Sequence, residues 1–355
     1  MTAGKPICSL SLDLDNQWSY MKTHGDSGWE SFPSYLDLVV PRFLKILDDF
    51  GWKITVFIVG QDAALDENRE ALQMIADAGH EIGNHSFNHD PWLHLYSRLQ
   101  IEGEIVRAEE AIETATGERP RGFRGPGYSL SRSVLDVLAE RNYLYDASTL
   151  PTFIGPLARA YYFMTSSLST DEKKERKRLF GGFREGLQPV TPYFWDLGRH
   201  SLLEIPVTTI PIFKIPFHFS YLLYMSTFSA SLARLHFRAA LALCRKTSTP
   251  PSLLLHPLDF LGRDDAPELG FFPAMKIDGS AKVEILAQFL GTLSSTWSVG
   301  SITEQVATRN QFPHFERRTF ARRDDVGWNK NGHGGIGRSA TDSRSYPEPS
   351  KDRES

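Results

Sequence analysis

The sequence predicts an α/β protein folded as a (β/α) barrel of eight or fewer strands. Between residues 7 and 150, apolar runs of strand length alternate with segments whose apolar residues recur at helical spacing. This alternation is typical of parallel strands joined by crossover helices. The ranges 5–150 and 200–312 together approach the ~250 residues of one such barrel. Of the 355 residues, 41% are hydrophobic, which is enough for a large core.

The first strand is predicted at 7–15, where leucines alternate with polar residues in period 2. The leucines fall on one face, and Asp13 and Asp15 fall on the other. Further strands are predicted at 54–59, 81–83, 122–124, 143–145, 202–209 and 252–255.

Helices are predicted between these strands. Pro41 opens one helical segment, and Gly51 is placed to end it. Gly79 ends the next helix in the same way. The predicted helices span 41–50, 67–78, 97–116 and 131–141.

The alternation stops after Pro151. Residues 151–199 combine aromatic residues, a charged run and several glycines and prolines, which predicts a helical insertion with the charged run on a solvated face. Residues 313–355 are poor in hydrophobic residues and predict a disordered polar tail. We therefore expect one main domain at 5–312, interrupted by the insertion and followed by the tail.

Charge and cysteine content exclude several classes of protein. The 39 Lys and Arg against 43 Asp and Glu give a net charge of −4, which does not indicate a nucleic-acid partner. Cys8 and Cys244 are too few for a secreted disulfide framework, and they fit a reducing compartment. We find neither the apolar run of a signal peptide near the N-terminus nor the ~20 apolar residues of a membrane span. The expected location is cytoplasmic.

Two carboxylates and two imidazoles fall at strand ends. Asp13 and Asp15 lie at the C-terminal end of the first strand, where α/β barrels carry their active sites. His85 and His89 follow another strand, and Pro91 disfavours helix there, so both rings belong on a turn at the same rim. One carboxylate with two imidazoles is a common set for zinc or a similar divalent ion. Solvated aspartates are the simpler alternative for the acidic pair alone, but the combination favours a metal site.

Two further segments carry candidate residues. Arg124 ends a short strand and precedes Gly125-Pro126-Gly127-Tyr128, so that a fixed cation lies beside a turn of exposed backbone N–H groups. His256 ends the apolar strand 252–255. Each segment alone has an ordinary alternative, a surface arginine in a turn and a structural histidine.

In this order and at these intervals, the segments resemble the NodB-homology polysaccharide deacetylases, which are carbohydrate esterase family 4-like, in the subgroup with a spaced D-x-D motif. The matching motifs are Leu12-Asp13-Leu14-Asp15, His85-Ser86-Phe87-Asn88-His89, Arg124-Gly125-Pro126 and Leu253-Leu254-Leu255-His256. Tyr145-Asp146-Ala147-Ser148 and Leu203-Glu204-Ile205-Pro206 resemble two further stretches of that subgroup. The resemblance covers about residues 5–150 and 200–305. It implies a distorted (β/α) barrel and a deacetylase catalytic domain at 5–312.

The resemblance also implies roles for these residues. Asp15, His85 and His89 would hold a divalent metal ion, which we expect to be Zn²⁺, and Asp13 would be the base that takes a proton from the metal-bound water. His256 would be the acid that protonates the departing amine. The remaining assignments are Arg124 orienting Asp13 and keeping it ionised, the backbone at Gly127 and Tyr128 stabilising the oxyanion, and Asp146 polarising His256.

The expected function is therefore the hydrolysis of a carbon–nitrogen bond other than a peptide bond, by removal of an acyl group from an N-acylated sugar or glycan. The D-x-D spacing and the Gly127-Tyr128 order differ from the form typical of extracellular wall-polymer deacetylases. A small cyclic amide and a lipid-linked sugar are therefore alternative substrates, and a catalytically silent member that binds glycan or metal is the alternative function. The aromatic segment 205–228 suggests either a buried strand and helix or a peripheral membrane contact. The sequence leaves the oligomeric state open.

Overall fold

A computed structural model describes residues 5–153, 185–308 and 316–320. Within these ranges the chain forms ten strands in one sheet and nine α-helices. The strands are β1 Ile7–Leu14, β2 Thr55–Ile58, β3 Glu81–Asn84, β4 Gly122–Phe123, β5 Tyr145–Asp146, β6 Tyr193–Asp196, β7 Ser201–Glu204, β8 Ser252–Leu255, β9 Ser298–Gly300 and β10 Glu316–Thr319. The helices are α1 Gln17–His24, α2 Leu36–Asp49, α3 Gly60–Ala63, α4 Arg69–Asp77, α5 Arg98–Thr116, α6 Arg132–Glu140, α7 Phe219–Lys246, α8 Gly279–Thr296 and α9 Ile302–Ala307.

The sheet has the order β10-β6-β7-β5-β4-β3-β2-β1-β8, and β9 pairs with the beginning of β1. Its pairings are parallel except that between β6 and β7. The chain that follows β7 then reaches the free side of β8. There the Thr208 N–H donates to the Ser252 carbonyl over 2.9 Å, and the Ser252 N–H donates to the Thr208 hydroxyl over 2.8 Å. These bonds connect the chain after β7 to the edge strand β8, as expected for a distorted barrel, and the predicted fold class is confirmed.

The core lies between this barrel and the helices around it. Strand β1 is buried along nearly its whole length and has strand neighbours on both sides, as is typical of a central strand in a parallel sheet whose faces are covered. Helix α2 buries one face that includes Val39, Phe43 and Leu47. It begins at Leu36 rather than at the predicted Pro41, since its inward face begins five residues earlier and a proline near a helix start removes only one backbone bond. This packing holds the C-terminal ends of β1 to β4 at one rim.

Two strands form where the sequence predicted other structure. Strand β6 lies within the predicted helical insertion 151–199, because Tyr193 and Trp195 alternate inward and bury their rings in a second apolar cluster. Strand β10 lies within the predicted tail 313–355 and pairs with β6, and Phe320 contacts the Trp195 ring at 5.3 Å. The remainder of these two predictions, at 154–184, 313–315 and 321–355, falls outside the described residues.

Helix α7 follows the strand predicted at 202–209, of which β7 forms only the first part. Ser229 interrupts α7 with non-helical backbone angles, so the helix consists of two segments. In the described parts of the chain, no helix has both the length and the apolar character that crossing a membrane requires.

Candidate active site

Three ligand-type side chains converge at the rim where β1 and β3 end. Asp15 follows β1 directly, and His85 and His89 lie on the turn that follows β3. The Asp15 Oδ1 atom lies 3.2 Å from the His85 Nε2 atom and 3.0 Å from the His89 Nε2 atom. All three side chains are buried, and their ligand atoms lie within 4.8 Å of one another. The structure thus brings together the three residues that the sequence predicted as metal ligands.

The turn that carries both histidines is held in an unusual conformation. Ser86 and His89 have positive φ angles of 61° and 51°, a region that non-glycine residues rarely adopt. The Asn84 side chain accepts the Ser86 N–H over 2.8 Å. From helix α5, the buried Glu104 carboxylate accepts the N–H groups of Phe87 over 3.2 Å and Asn88 over 2.9 Å. Glu104 therefore fixes the backbone between the two histidines, a role that the sequence did not reveal.

A second polar contact holds the far end of this turn. The Lys22 ammonium, from helix α1, donates to the Asn88 carbonyl over 2.9 Å and to Asp90 over 2.7 Å. It also lies 5.3 to 5.9 Å from the ring centroids of three tryptophans, which are Trp18, Trp29 and Trp92. Because Asp90 follows His89 directly, Lys22 connects the segment after Asp15 to the histidine turn.

The hydrogen bonding around the three side chains fits a bound cation. The His85 Nδ1 atom donates to the Arg124 carbonyl over 2.6 Å, so the Nε2 atom faces Asp15 and offers a lone pair to a cation when the ring is neutral. The Asp15 Oδ1 and His89 Nε2 atoms are buried and make no hydrogen bond to any described residue, despite their short separation. Acceptor atoms that face one another in this way are stabilised by a cation between them. One carboxylate and two imidazoles are also the donor types that zinc prefers.

The pKa shifts of these groups also fit a bound cation. Burial acts to raise the pKa of the Asp15 carboxyl, but the imidazoles of His89 and His85 outweigh it and hold that pKa well below its usual range. For His85, burial acts to lower the pKa, yet the charges of Asp13 and Asp15 raise it overall. The site therefore keeps Asp15 as a carboxylate and attracts positive charge.

Asp13 is paired with Arg124 beside the three ligand-type side chains. The Arg124 Nη1 atom donates to Asp13 Oδ1 over 2.6 Å and to the Ser11 hydroxyl over 2.9 Å. Its Nε atom donates to the Ala147 carbonyl over 2.9 Å, and its guanidinium lies 4.4 Å from the centroid of the Phe57 ring. Arg124 is 0% exposed, so this ion pair lies in a low-dielectric interior. The predicted orientation of Asp13 by Arg124 is present in the geometry.

The Gly-Pro-Gly-Tyr turn lies against the histidine turn. Gly127 has a φ of 56°, and a Cβ atom there would lie 3.0 Å from Pro91, so the close approach favours glycine. The Tyr128 N–H donates to the Gly125 carbonyl over 2.9 Å and is thus used within the turn. The Tyr128 ring lies in the site, where burial and the charge of Asp13 raise the pKa of its hydroxyl. Of the two predicted residues, Gly127 is therefore the better source of a backbone donor.

His256 follows β8 and contacts different residues from those predicted. Its Nδ1 atom lies 3.0 Å from the Ser220 hydroxyl, which donates to Asp259 over 2.8 Å. The predicted partner, Asp146, instead accepts the hydroxyl and N–H of Ser148 over 2.6 and 3.2 Å and lies beside Glu204. The described hydrogen bonds thus connect Asp146 to Ser148 and His256 to Ser220, and the role predicted for Asp146 stays a prediction. The spacing of His256 and Asp259 in the sequence was the available signal.

Comparison with known proteins supports the resemblance. Residues 26–145 match the family described as Polysaccharide deacetylase. This range contains His85, His89 and Arg124, whereas Asp15 and His256 lie outside it. The peptidoglycan deacetylase of Helicobacter pylori is 29% identical over 151 residues, which cover 41% of this chain and 50% of that protein. The peptidoglycan deacetylase-like protein FGM2 of Gibberella zeae is 33% identical over 163 residues, covering 44% and 46%. The chain thus spans about half the length of these two relatives.

A solved structure supports the fold over nearly the whole chain. A crystal structure from Mycobacterium smegmatis, assigned to the polysaccharide deacetylases, superposes with a TM-score of 0.58 at 22% identity. The alignment covers 91% of this chain and 96% of that one. The overall fold of this chain is therefore similar to one already seen in a solved structure.

Proposed function

We propose that this chain, whose residues 26–145 belong to the polysaccharide deacetylase family, is a metal-dependent hydrolase that removes an acyl group from an N-acylated sugar or glycan. The reaction cleaves a carbon–nitrogen bond other than a peptide bond. The observation that carries the proposal is the convergence of Asp15, His85 and His89 beside an Asp13 held by Arg124. Ligands for a cation and an oriented carboxylate thus lie together at one rim of the barrel.

Asp15 and the Nε2 atoms of His85 and His89 would hold the ion, which we propose is Zn²⁺. When bound, a divalent ion supplies a Lewis acid and makes hydroxide available near neutral pH. The bond from His85 Nδ1 to the Arg124 carbonyl fixes the ring so that its other nitrogen faces the site. The same residue, Arg124, thereby orients both a ligand and Asp13.

The other residues act on the substrate and on protons. Asp13 takes the proton of the attacking water, and Arg124 holds its carboxylate in place. The Gly127 N–H is the backbone donor we assign to the oxyanion that forms at the acyl carbonyl. His256 protonates the leaving amine, since an amine departs as a neutral molecule.

Release of a free amine tests this function directly. Protein stripped of metal with a chelator and reloaded with Zn²⁺ is incubated with N-acetyl sugars, N-formyl sugars and small cyclic amides. We expect amine release from an N-acyl sugar, lost in Asp13→Ala and His256→Ala protein and retained in Asp66→Ala, whose side chain is exposed. Ligand binding without hydrolysis by the zinc-loaded protein would favour the catalytically silent alternative. Turnover of cyclic amides alone would replace the sugar substrate.

We also propose a cytoplasmic location with peripheral membrane contact, which suits a lipid-linked sugar. Two buried free thiols, Cys8 and Cys244, support the reducing compartment. Ile212, Phe213 and Phe228, which are 73%, 63% and 76% exposed, support contact with a lipid surface. Flotation with anionic liposomes tests the contact, and Phe213→Ser with Phe228→Ser should abolish it. Protein that stays in the soluble fraction under all conditions excludes membrane contact.

A further inference from the structure

The sequence leaves open what orients the histidine that follows β8. His256 must present one ring nitrogen to the substrate while the other makes a hydrogen bond, because a ring without that bond could rotate away from the substrate. In the described part of the chain, the side-chain contact of its Nδ1 atom is the hydroxyl of Ser220, in the first turn of α7. The partners of that hydroxyl therefore decide how His256 is held.

Asp259 accepts hydrogen bonds from both His256 and Ser220. One of its oxygens, Oδ2, accepts the His256 backbone N–H over 2.9 Å, and the other, Oδ1, accepts the Ser220 hydroxyl over 2.8 Å. Two donors directed at one carboxyl group favour its ionised form. The single hydroxyl hydrogen of Ser220 is used for Asp259, so the Ser220 oxygen accepts a hydrogen from His256 Nδ1. Nε2 is then the atom of His256 that exchanges its proton with the substrate.

We infer that Asp259, acting through Ser220, is the positioning residue that fixes the tautomer of His256 and stabilises its protonated form. The inference rests on the proposed function, in which His256 is the proton donor to the leaving amine. Asp146 takes no part in it. A buried carboxylate joined to the far ring nitrogen stabilises an imidazolium, and a bridging hydroxyl passes that interaction on in weakened form.

The surroundings of the three residues fit this role. Asp259 is 2% exposed, and burial raises the pKa of its carboxyl, while His256 and Ser220 act against that rise. The buried Lys282, from α8, donates to the Leu258 carbonyl over 3.0 Å, and its positive charge also favours the Asp259 carboxylate. Tyr20, from α1, is a further titratable side chain that interacts with Asp259.

His218 is the second imidazole near His256, with ring centroids 5.8 Å apart. Burial, together with the charges of His256 and Arg124, holds the pKa of His218 well below its usual range. The His218 ring therefore favours its neutral form. The proton for the leaving amine resides on His256, next to Ser220 and Asp259.

Nitrogen NMR of zinc-loaded protein labelled at histidine tests the inference without an activity assay. The His256 signals are assigned by their loss in His256→Gln. In the wild type we expect the neutral ring to carry its hydrogen on Nδ1. In Asp259→Asn, which keeps an oxygen that can accept a backbone N–H, the His256 titration should move to lower pH, because the carboxylate charge is gone. Ser220→Ala should give the same shift, and Ser220→Thr, which keeps the hydroxyl, should restore the wild-type value.

Activity gives the second measurement. Because the proton donor must be protonated, the basic limb of the pH–kcat profile should shift in Asp259→Asn by the same amount as the titration. kcat should fall roughly tenfold with little change in KM. A merely structural role would lower the yield of folded protein without moving either pH midpoint.

The outcomes separate this inference from the proposed function. A wild type without hydrolase activity whose His256 titration still shifts in Asp259→Asn would refute the function and leave the positioning role intact. An active wild type whose His256 titration is the same in Asp259→Asn and Ser220→Ala would overturn the inference. A shift of the His256 titration in Asp146→Asn, with no shift in Asp259→Asn, would also overturn the inference. Asp146 would then be the residue that positions His256.

Discussion

The Nδ1 atom of His85 donates to the backbone carbonyl of Arg124 over 2.6 Å, while the side chain of the same arginine binds Asp13 over the same distance. One residue on the chain after β4 therefore orients both a metal-ligand candidate after β3 and the base candidate in β1. Because β1, β3 and β4 all contribute, a displacement of Arg124 would disturb both parts of the site together. The ligands and the base are thus one structural unit.

Zn²⁺ should stabilise the folded protein through Asp15, His85 and His89. An ion that binds only the native state adds about 2.7 kcal/mol to the free energy of unfolding at a hundredfold excess over its dissociation constant. Urea unfolding of chelator-treated protein, with and without added Zn²⁺, measures this gain. It should vanish in His85→Gln and His89→Gln and persist in His200→Gln, an exposed histidine on the opposite part of the sheet. Equal stabilisation of all variants would contradict the assigned ligands.

Glu104→Ala should weaken zinc binding without removing a ligand. Its carboxylate holds the N–H groups of Phe87 and Asn88, and the positive φ of His89 depends on that support. Loss of partners that orient ligands typically lowers metal affinity by about 10- to 100-fold. Competition with a zinc chelator measures the change. Glu110→Ala, on the exposed face of the same helix, is the matched control and should bind zinc as the wild type does.

Arg124→Met should destabilise the fold strongly. It leaves the buried Asp13 carboxylate without its cation, and breaking a buried ion pair in this way costs about 3 to 5 kcal/mol. The double variant Asp13→Asn with Arg124→Met removes both charges and should recover part of that loss. Urea unfolding in the presence of chelator measures all three proteins.

Arg98→Met is the control for the Arg124 variants. Arg98 and Glu140 form an ion pair in which both side chains are about half exposed, and such pairs contribute roughly 0 to 1 kcal/mol. If Arg124→Met were no more destabilising than Arg98→Met, the buried pair would not be the structural element we describe.

The rim residues could be predicted because local patterns determine them. Period-2 alternation places Asp13 on the polar face of β1, and the end of the short strand predicted at 81–83 marks where His85 leaves the sheet. In a parallel barrel the C-terminal ends of the strands meet at one rim, so residues far apart in sequence could be placed together. Strand ends and their side chains were therefore predictable from the sequence.

Contacts made by tertiary packing could not be predicted in the same way. Ser220 reaches His256 because α7 begins beside the end of β8, and nothing in the sequence of either segment encodes that proximity. Glu104 lies on a helix whose other charged residues, apart from Glu109, are exposed, so its burial is visible only once the histidine turn packs against it. Strand β6 likewise depends on the antiparallel pairing with β7 that surrounds Trp195. These features arise from the fold as a whole.

The buried pair of Asp146 and Glu204 should make the stability of the protein depend on pH. Burial, and then the charge of Asp146, raises the pKa of the Glu204 carboxyl well above its ordinary value of 4.5. The folded protein therefore keeps a proton that the unfolded chain releases above about pH 4.5. Stability from this group is complete below that pH and declines as the pH rises towards the folded pKa, by up to about 1.4 kcal/mol per pH unit.

Glu204→Gln isolates this dependence because the amide does not titrate. The variant should start less stable at pH 4.5, since the Trp195 indole N–H, which Glu204 accepts over 2.8 Å, loses part of its acceptor. The wild type should then lose stability relative to the variant as the pH rises from about 5 to 8. Urea unfolding at each pH measures the difference, and Glu110→Gln, with an exposed carboxyl, should run parallel to the wild type. Parallel curves for Glu204→Gln would mean that Glu204 is ionised in the folded protein, which would contradict the raised pKa of its carboxyl.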